Sequence, residues 1–179
     1  ESSYTLQGIR SEPWYSGSET VLLDPFDYGD HQVLVKDAAS ATLIFRHTCS
    51  TLYREWQTTS EADSVRRAFP HVVRCPMPRS PVLVELYYRN RRGEFILSWS
   101  EEVDPASIYV NPGNPLRFES VDLEIHGPSR EKVDILFLAE GYRESEMDKF
   151  LEDAERSAGY IFSEEPFKSL RSEFNIRAV

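Results

Sequence analysis

Between residues 82 and 101 apolar and polar side chains alternate with a period of two. Val82, Val84, Leu86 and Tyr88 face one way and Leu83, Glu85, Tyr87 and Arg89 the other; on the return, Phe95, Leu97 and Trp99 alternate with Glu94, Ile96, Ser98 and Ser100. Asn90-Arg91-Arg92-Gly93 lies between them, and its glycine can supply the positive φ that a hairpin loop needs. The pattern predicts a β-hairpin. A second hairpin is predicted from His31 to Lys36 and from Thr42 to His47, with Leu43, Phe45 and His47 on one face of the second strand. Ser64 to Cys75 reads as another strand, bent or placed at an edge by Pro70, before Pro76, Pro78 and Pro81 make a stiff connection. Residues 1–28 are irregular with one or two short edge strands. Cys49 to Thr59 fits either a short helix or a loop packed down by Leu52, Tyr53 and Trp56. A short strand around Ile108 to Val110, in front of the turn cluster Asn111-Pro112-Gly113-Asn114-Pro115, and an alternating stretch from Phe118 to Ile125 complete a set of short strands that predicts an antiparallel β-sandwich.

The pattern changes after His126. Val133 to Ala139 is nearly continuous apolar sequence, as in a strand covered on both faces. Met147, Phe150, Leu151, Ala154, Ala158 and Ile161 then form one apolar stripe on a charged helix, and Phe174 to Val179 reads as a strand. Strand, helix and strand make a right-handed crossover unit. The expected fold is therefore mainly β with an α/β appendage: an antiparallel β-sandwich accessory domain over residues 1–126, followed by a β-α-β unit over 127–179. A sheet that stops at its second strand predicts that the natural chain continues. It also predicts that Phe150, Leu151 and Ala154 fold back onto the strand, and that its remaining bare face docks on the sandwich or on a second copy of the chain by self-association.

Thirty acidic against twenty basic residues give a net charge of −10, which repels a phosphate backbone and argues against nucleic acid as a partner. No apolar run approaches the roughly 18 residues that cross a bilayer, so no transmembrane segment is expected. Cys49 and Cys75 are too few for a disulfide framework or a four-thiolate metal site; they are either small buried hydrophobes or a pair formed in an oxidising compartment.

The histidines His31, His47, His71 and His126 never stand at metal-ligand spacing. Asp27, Asp30 and His31 form the one acidic-histidine cluster, which a solvated turn explains. His47 reads as a partly buried, hydrogen-bonded side chain. Glu140-Gly141-Tyr142, at the carboxyl end of the buried strand, is a candidate cleft wall or else a tight turn that needs Gly141. No glycine-rich phosphate loop and no Gly-x-Ser-x-Gly elbow occurs. Of the aromatics Trp14, Tyr15, Trp56, Tyr87, Tyr88 and Trp99, most are expected in the core. Glu85, Tyr87 and Arg89 on the more polar face of the first hairpin form a candidate recognition surface, or else a contact with another part of a larger protein.

Val133-Asp134-Ile135-Leu136-Phe137-Leu138-Ala139-Glu140-Gly141-Tyr142, then Glu146-Met147-Asp148, Phe150, Glu165-Pro166-Phe167-Lys168 and Phe174-Asn175, closely resembles the start of the catalytic domain in the bacterial IgA-peptidase-like zinc metallopeptidases, metallopeptidase family sixty-four. Cys49 to Thr59 with Glu61-Ala62, and Glu102-Val103-Asp104-Pro105, resemble that family's N-terminal β-domain. The resemblance implies a secreted, periplasmic or surface-held hydrolase that cuts protein substrates through a catalytic domain of which residues 127–179 are the beginning. It implies zinc for the full-length protein. The family's His-Glu-x-x-His helix is absent from this sequence, so no cofactor and no catalytic or metal-ligating residue is expected in this chain. Arg143 departs from the family's Ser/Thr-type helix cap, which shifts the expected cap to Ser145 or leaves Glu144 and Glu146 to favour the helix dipole. The alternative reading is a stand-alone β-sandwich module that binds glycan or protein.

Overall fold

The computed structural model describes residues 3–113 and 118–179, so Asn114 and Pro115 of the expected turn cluster lie outside the described residues. The chain divides into two compact units, residues 1–114 and 115–179.

The first unit is built on a four-stranded antiparallel sheet. Its strands are β2 (His31–Asp37), β3 (Leu43–Cys49), β4 (Val82–Arg89) and β5 (Phe95–Val103), in the order β3-β2-β4-β5. Both predicted hairpins are present. The register sets Val33 opposite Leu86 and His47, and Val35 opposite Val84 and Phe45. Period-two alternation then gathers Val33, Val35, Phe45 and Val82 into a buried cluster, with Val84, Leu86 and Val103 against it. Burying each large side chain there contributes about 1.5–3 kcal/mol.

Tyr15, Leu22, Val73 and Cys75 cover this cluster from segments without regular structure. The strand expected over Ser64 to Cys75 does not form: residues 65–78 are neither helix nor strand. Pro70, Pro76 and Pro78 cannot donate to a ladder, and the strap is pinned by side chains instead. Val73 and Cys75 plug the sheet face, and Phe69 packs its ring 5.5 Å from Trp56 and 5.8 Å from Tyr53. Tyr53 and Trp56 are held by helix α1 (Leu52–Trp56), whose cap Thr51 accepts a hydrogen bond from the Arg54 N–H at 3.2 Å. Near the chain start, β1 (Ile9–Ser11) pairs in parallel with β6 (Val110–Pro112). Strand β6 thus lies later than the expected Ile108–Val110 and runs into Pro112, as an edge position allows.

The loop before β2 is fixed by side chains reaching backbone carbonyls. Arg46 donates to the Asp24 carbonyl, and Arg89 donates to those of Asp27 and Gly29. Gly29 has φ +89°, and a Cβ there would sit 2.4 Å from the Cys49 carbonyl oxygen, so the position requires glycine.

In the second unit, β7 (Val121–Glu124), β8 (Val133–Phe137) and β9 (Phe174–Ala178) form a sheet in the order β7-β9-β8, with β8 parallel and β7 antiparallel to β9. The predicted β-α-β unit is β8, α2 (Met147–Ile161) and β9. Because β7 pairs with β9, residues 121–126 belong to this unit, and the division falls earlier in the chain than the expected 126/127 boundary. Helix α2 buries Phe150, Ala154 and Ala158 against Leu123, Phe137, Ile176 and Ala178. The final stripe position is taken by Phe162, not by the half-exposed Ile161: the helix stops there, and Phe162 turns its ring edge onto Phe174 at 5.2 Å. On the sheet face away from α2, Leu136 and Leu138 are exposed beside Arg177, which donates to Asp122 and Asp134. The apolar run of β8 therefore does not mark burial on both faces within this unit.

Candidate functional site

The three residues of the expected recognition surface lie on β4, and each is engaged within the first unit. Glu85 is buried and pairs with the Lys36 ammonium at 2.8 Å, while its carboxylate accepts the Tyr87 hydroxyl at 2.7 Å. Burial alone would raise the Glu85 carboxyl; the Lys36 ammonium and the Tyr87 hydroxyl together bring it below its ordinary value. The Tyr87 hydroxyl is pushed up to about 12 by burial and by its bond to Glu85. Arg89 donates to Gly29, Asp27 and Gly93 carbonyls and lies 4.2 Å over the Phe95 ring. This face is a closed polar network, with Arg89 stapling the loop before β2 to the β4–β5 turn.

At the start of β2, His31 is buried between two partners. Asp30 pairs with Nδ1 at 2.8 Å and the Tyr4 hydroxyl meets Nε2 at 2.9 Å, so both ring nitrogens are occupied. Asp27 stands apart from this pair, its carboxylate taking a hydrogen bond from Gln32 at 3.2 Å. His47 is exposed, which corrects the partly buried reading: the edge strand β3 leaves its ring beside Phe45 at the open side of the core. Tyr15, Val33, His47, Cys49, His71 and Arg74 help line a half-open depression of about 250 Å³. Cys49 Sγ lies 4.0 Å from His71 Nε2, but burial raises the thiol, and burial together with His31 and His47 lowers His71, which favours a neutral pair over thiolate and imidazolium. Neither Cys49 nor Cys75 is in a disulfide.

Glu140-Gly141-Tyr142 forms the turn that leads from β8 toward α2. Gly141 has φ +87°, and the Tyr142 N–H returns to the Ala139 carbonyl. Tyr142 packs its ring 5.2 Å from Phe150 and donates its hydroxyl to Asp153 at 2.8 Å. Lys149 and Arg156 join the same carboxylate, which these bonds hold far below the usual carboxylate range. Tyr142 thus ties the turn to the helix, and only Glu140 of the three extends into solvent from a non-glycine side chain. At the helix start, Glu146 accepts the Arg143 backbone N–H at 3.0 Å. The reciprocal half of a capping box is missing because an arginine side chain has no acceptor.

Sequence reasoning names Asn175 only within the family resemblance and gives it no role; it is fully buried in β9. Its amide oxygen accepts the N–H groups of His126 and Gly127, and its amide nitrogen donates to the Gly127 carbonyl and the Asp134 carboxylate. A lone Asn in a strand carries no signal by itself; its spacing from Asp134 is set only by the parallel β8–β9 register.

Among the described residues no group of three His, Cys, Asp or Glu side chains is placed to hold a metal ion. No helix among them is long and apolar enough to cross a membrane.

Two family models match the chain in order. The one described as Peptidase M64 N-terminus covers residues 1–100, and the one described as IgA Peptidase M64 covers residues 121–179. The chain belongs to the M64 peptidase family. The second match begins at the first residue of β7, so the family boundary and the structural one agree in placing that strand with the β-α-β unit of this M64 family member. A search of curated proteins finds no match.

Proposed function

We propose that this chain is the non-catalytic N-terminal region, with the opening of the catalytic domain, of a zinc metallopeptidase that hydrolyses protein substrates and acts outside the cytoplasm. The observation that carries the reading is the ordered pair of family matches, N-terminal region and then peptidase domain, on a sequence that holds no His-Glu-x-x-His. Among the described residues no set of side chains fits a catalytic zinc. His31 has both ring nitrogens occupied, and His126 contacts Glu124 without the further ligands a zinc site requires. No step of the hydrolysis is therefore assigned to this chain. Its part in the reading is to build the two units to which the zinc-bearing remainder is joined.

The reading of a stand-alone binding module is weaker because Glu85, Tyr87 and Arg89 are consumed by internal contacts. The test is hydrolysis of a protein substrate such as IgA or casein, with and without a chelator. The 179-residue chain is compared with a longer chain that includes a His-Glu-x-x-His helix. Chelator-sensitive cleavage by the longer chain alone is expected; cleavage by the 179-residue chain, or by neither, overturns the proposal.

A further inference from the structure

The sequence contains two paired-arginine sites, Arg66-Arg67 and Arg91-Arg92. By sequence alone the second is the better substrate for an endopeptidase specific for paired basic residues, because Arg89 precedes it and completes Arg-x-Arg-Arg. The folded chain reverses that order. Such an enzyme must draw the residues on both sides of the bond into its cleft in extended form, so it cuts where local opening is easy.

The turn holding Arg91-Arg92 is closed on itself. The Asn90 N–H donates to the Glu94 carbonyl at 2.9 Å, and the Gly93 N–H returns to the Asn90 carbonyl at 3.0 Å. The Asn90 side-chain oxygen accepts the N–H groups of Arg92 and Glu94 at 2.8 and 3.0 Å. Arg89, which a cleaving enzyme would have to seize, is spent on three carbonyls and on the Phe95 ring. Opening this turn means unzipping the end of the β4–β5 ladder.

Arg66-Arg67 sits at the start of the strap over residues 65–78, which has neither helix nor strand. Val65, Arg66, Arg67 and Ala68 are all exposed. The preceding turn ends with the Val65 N–H on the Glu61 carbonyl, and among the described residues Arg67 is tethered by an ion pair to Glu61 at 2.6 Å between partners that are each about half exposed. Farther along the strap, Phe69 packs on the Trp56 and Tyr53 rings and must lift off them for the bond to be reached, while Val73 and Cys75 pack on the core and hold the chain around Arg74 down.

We propose that Arg66-Arg67 is a processing site at which an endopeptidase specific for paired basic residues hydrolyses the Arg67–Ala68 bond. The C–N bond breaks and water supplies the new C–O bond, leaving an Arg67 carboxylate and an Ala68 amine. The nicked unit stays together. One fragment carries β2 and β3 and the other β4 and β5, and the β2–β4 ladder joins them from His31↔Tyr88 to Asp37↔Val82.

The test treats the folded 179-residue chain with a paired-basic-specific endopeptidase, beside unstructured peptides of residues 60–75 and 85–98, and reads the cuts by mass. Both peptides are expected to be cut. The folded chain is expected to be cut after Arg67 and not after Arg92, with both fragments eluting together in gel filtration, and the exposed-site double variant Arg66→Gln/Arg67→Gln is expected to lose the cut while keeping its circular dichroism. A first cut after Arg92, no cut of the folded chain, or an unchanged cutting rate in the double variant overturns the proposal.

Discussion

Replacing Phe150 with alanine probes the second unit at its centre. Phe150 is 4% exposed and packs with Ala154 and Ala178 against Leu123, Phe137, Ala139 and Tyr142, so little around it can collapse into the vacated space. Truncating such a side chain costs about 3–5 kcal/mol. A unit spanning the 65 residues from 115 to 179 has a net stability on the order of 3–10 kcal/mol, so the loss is about three tenths of the total or more. At about 4–8 °C per kcal/mol for a unit of this size, the midpoint falls by at least about 12 °C. The two units can be followed separately. Helix α2 supplies most of the helical signal near 222 nm, whereas Trp14, Trp56 and Trp99 all lie in the first unit. The 222 nm transition is expected to fall steeply relative to the tryptophan fluorescence transition, and Phe150→Leu should move it far less because volume is largely kept. A 222 nm midpoint for Phe150→Ala within about 3 °C of the parent would refute the packing described for α2.

Asn175→Ala strands two backbone N–H groups and a carbonyl and is expected to cost about 2–4 kcal/mol, read as a lower urea midpoint with an unchanged slope. Glu124 is held at about 2, chiefly by its hydrogen bonds from Arg171. Its folded value lies below the ordinary carboxylate value near 4.3, so its contribution is present above that pH and is lost as pH falls toward 2. Arg171→Met should therefore lower the second unit's urea midpoint at pH 7 and shrink the difference between variant and parent as pH drops from about 5 to 2; a difference that is flat across this range would contradict the assignment.

What the sequence made legible follows from periodicity. The β4–β5 hairpin and α2 could be read because one face of each is continuously apolar, and the structure keeps nearly the same bounds, Val82–Arg89, Phe95–Val103 and Met147–Ile161. Val65, Phe69, Val72 and Val73 suggest a strand over Ser64 to Cys75, which does not form. In fact Phe69 and Val73 are anchors for an irregular segment, while Val65 and Val72 are exposed. Strand β7 was legible as a strand, but its partner was not, since pairing with β9 across some fifty residues is a long-range choice that local pattern does not encode. Glu85, Tyr87 and Arg89 stand on β4 and Glu140 to Tyr142 in the turn after β8, but what each side chain binds is hidden for a similar reason. Arg89 is bound to carbonyls sixty residues earlier in the chain, and Tyr142 to Asp153 eleven residues later on α2.

We propose that this chain is part of a zinc peptidase and itself holds no zinc. The most direct test is the zinc-to-protein ratio after equilibration with zinc and desalting, for the 179-residue chain beside a chain extended through a His-Glu-x-x-His helix. No bound equivalent is expected in the first and one in the second; one tightly held equivalent in the 179-residue chain, or none in the extended one, would overturn the proposal.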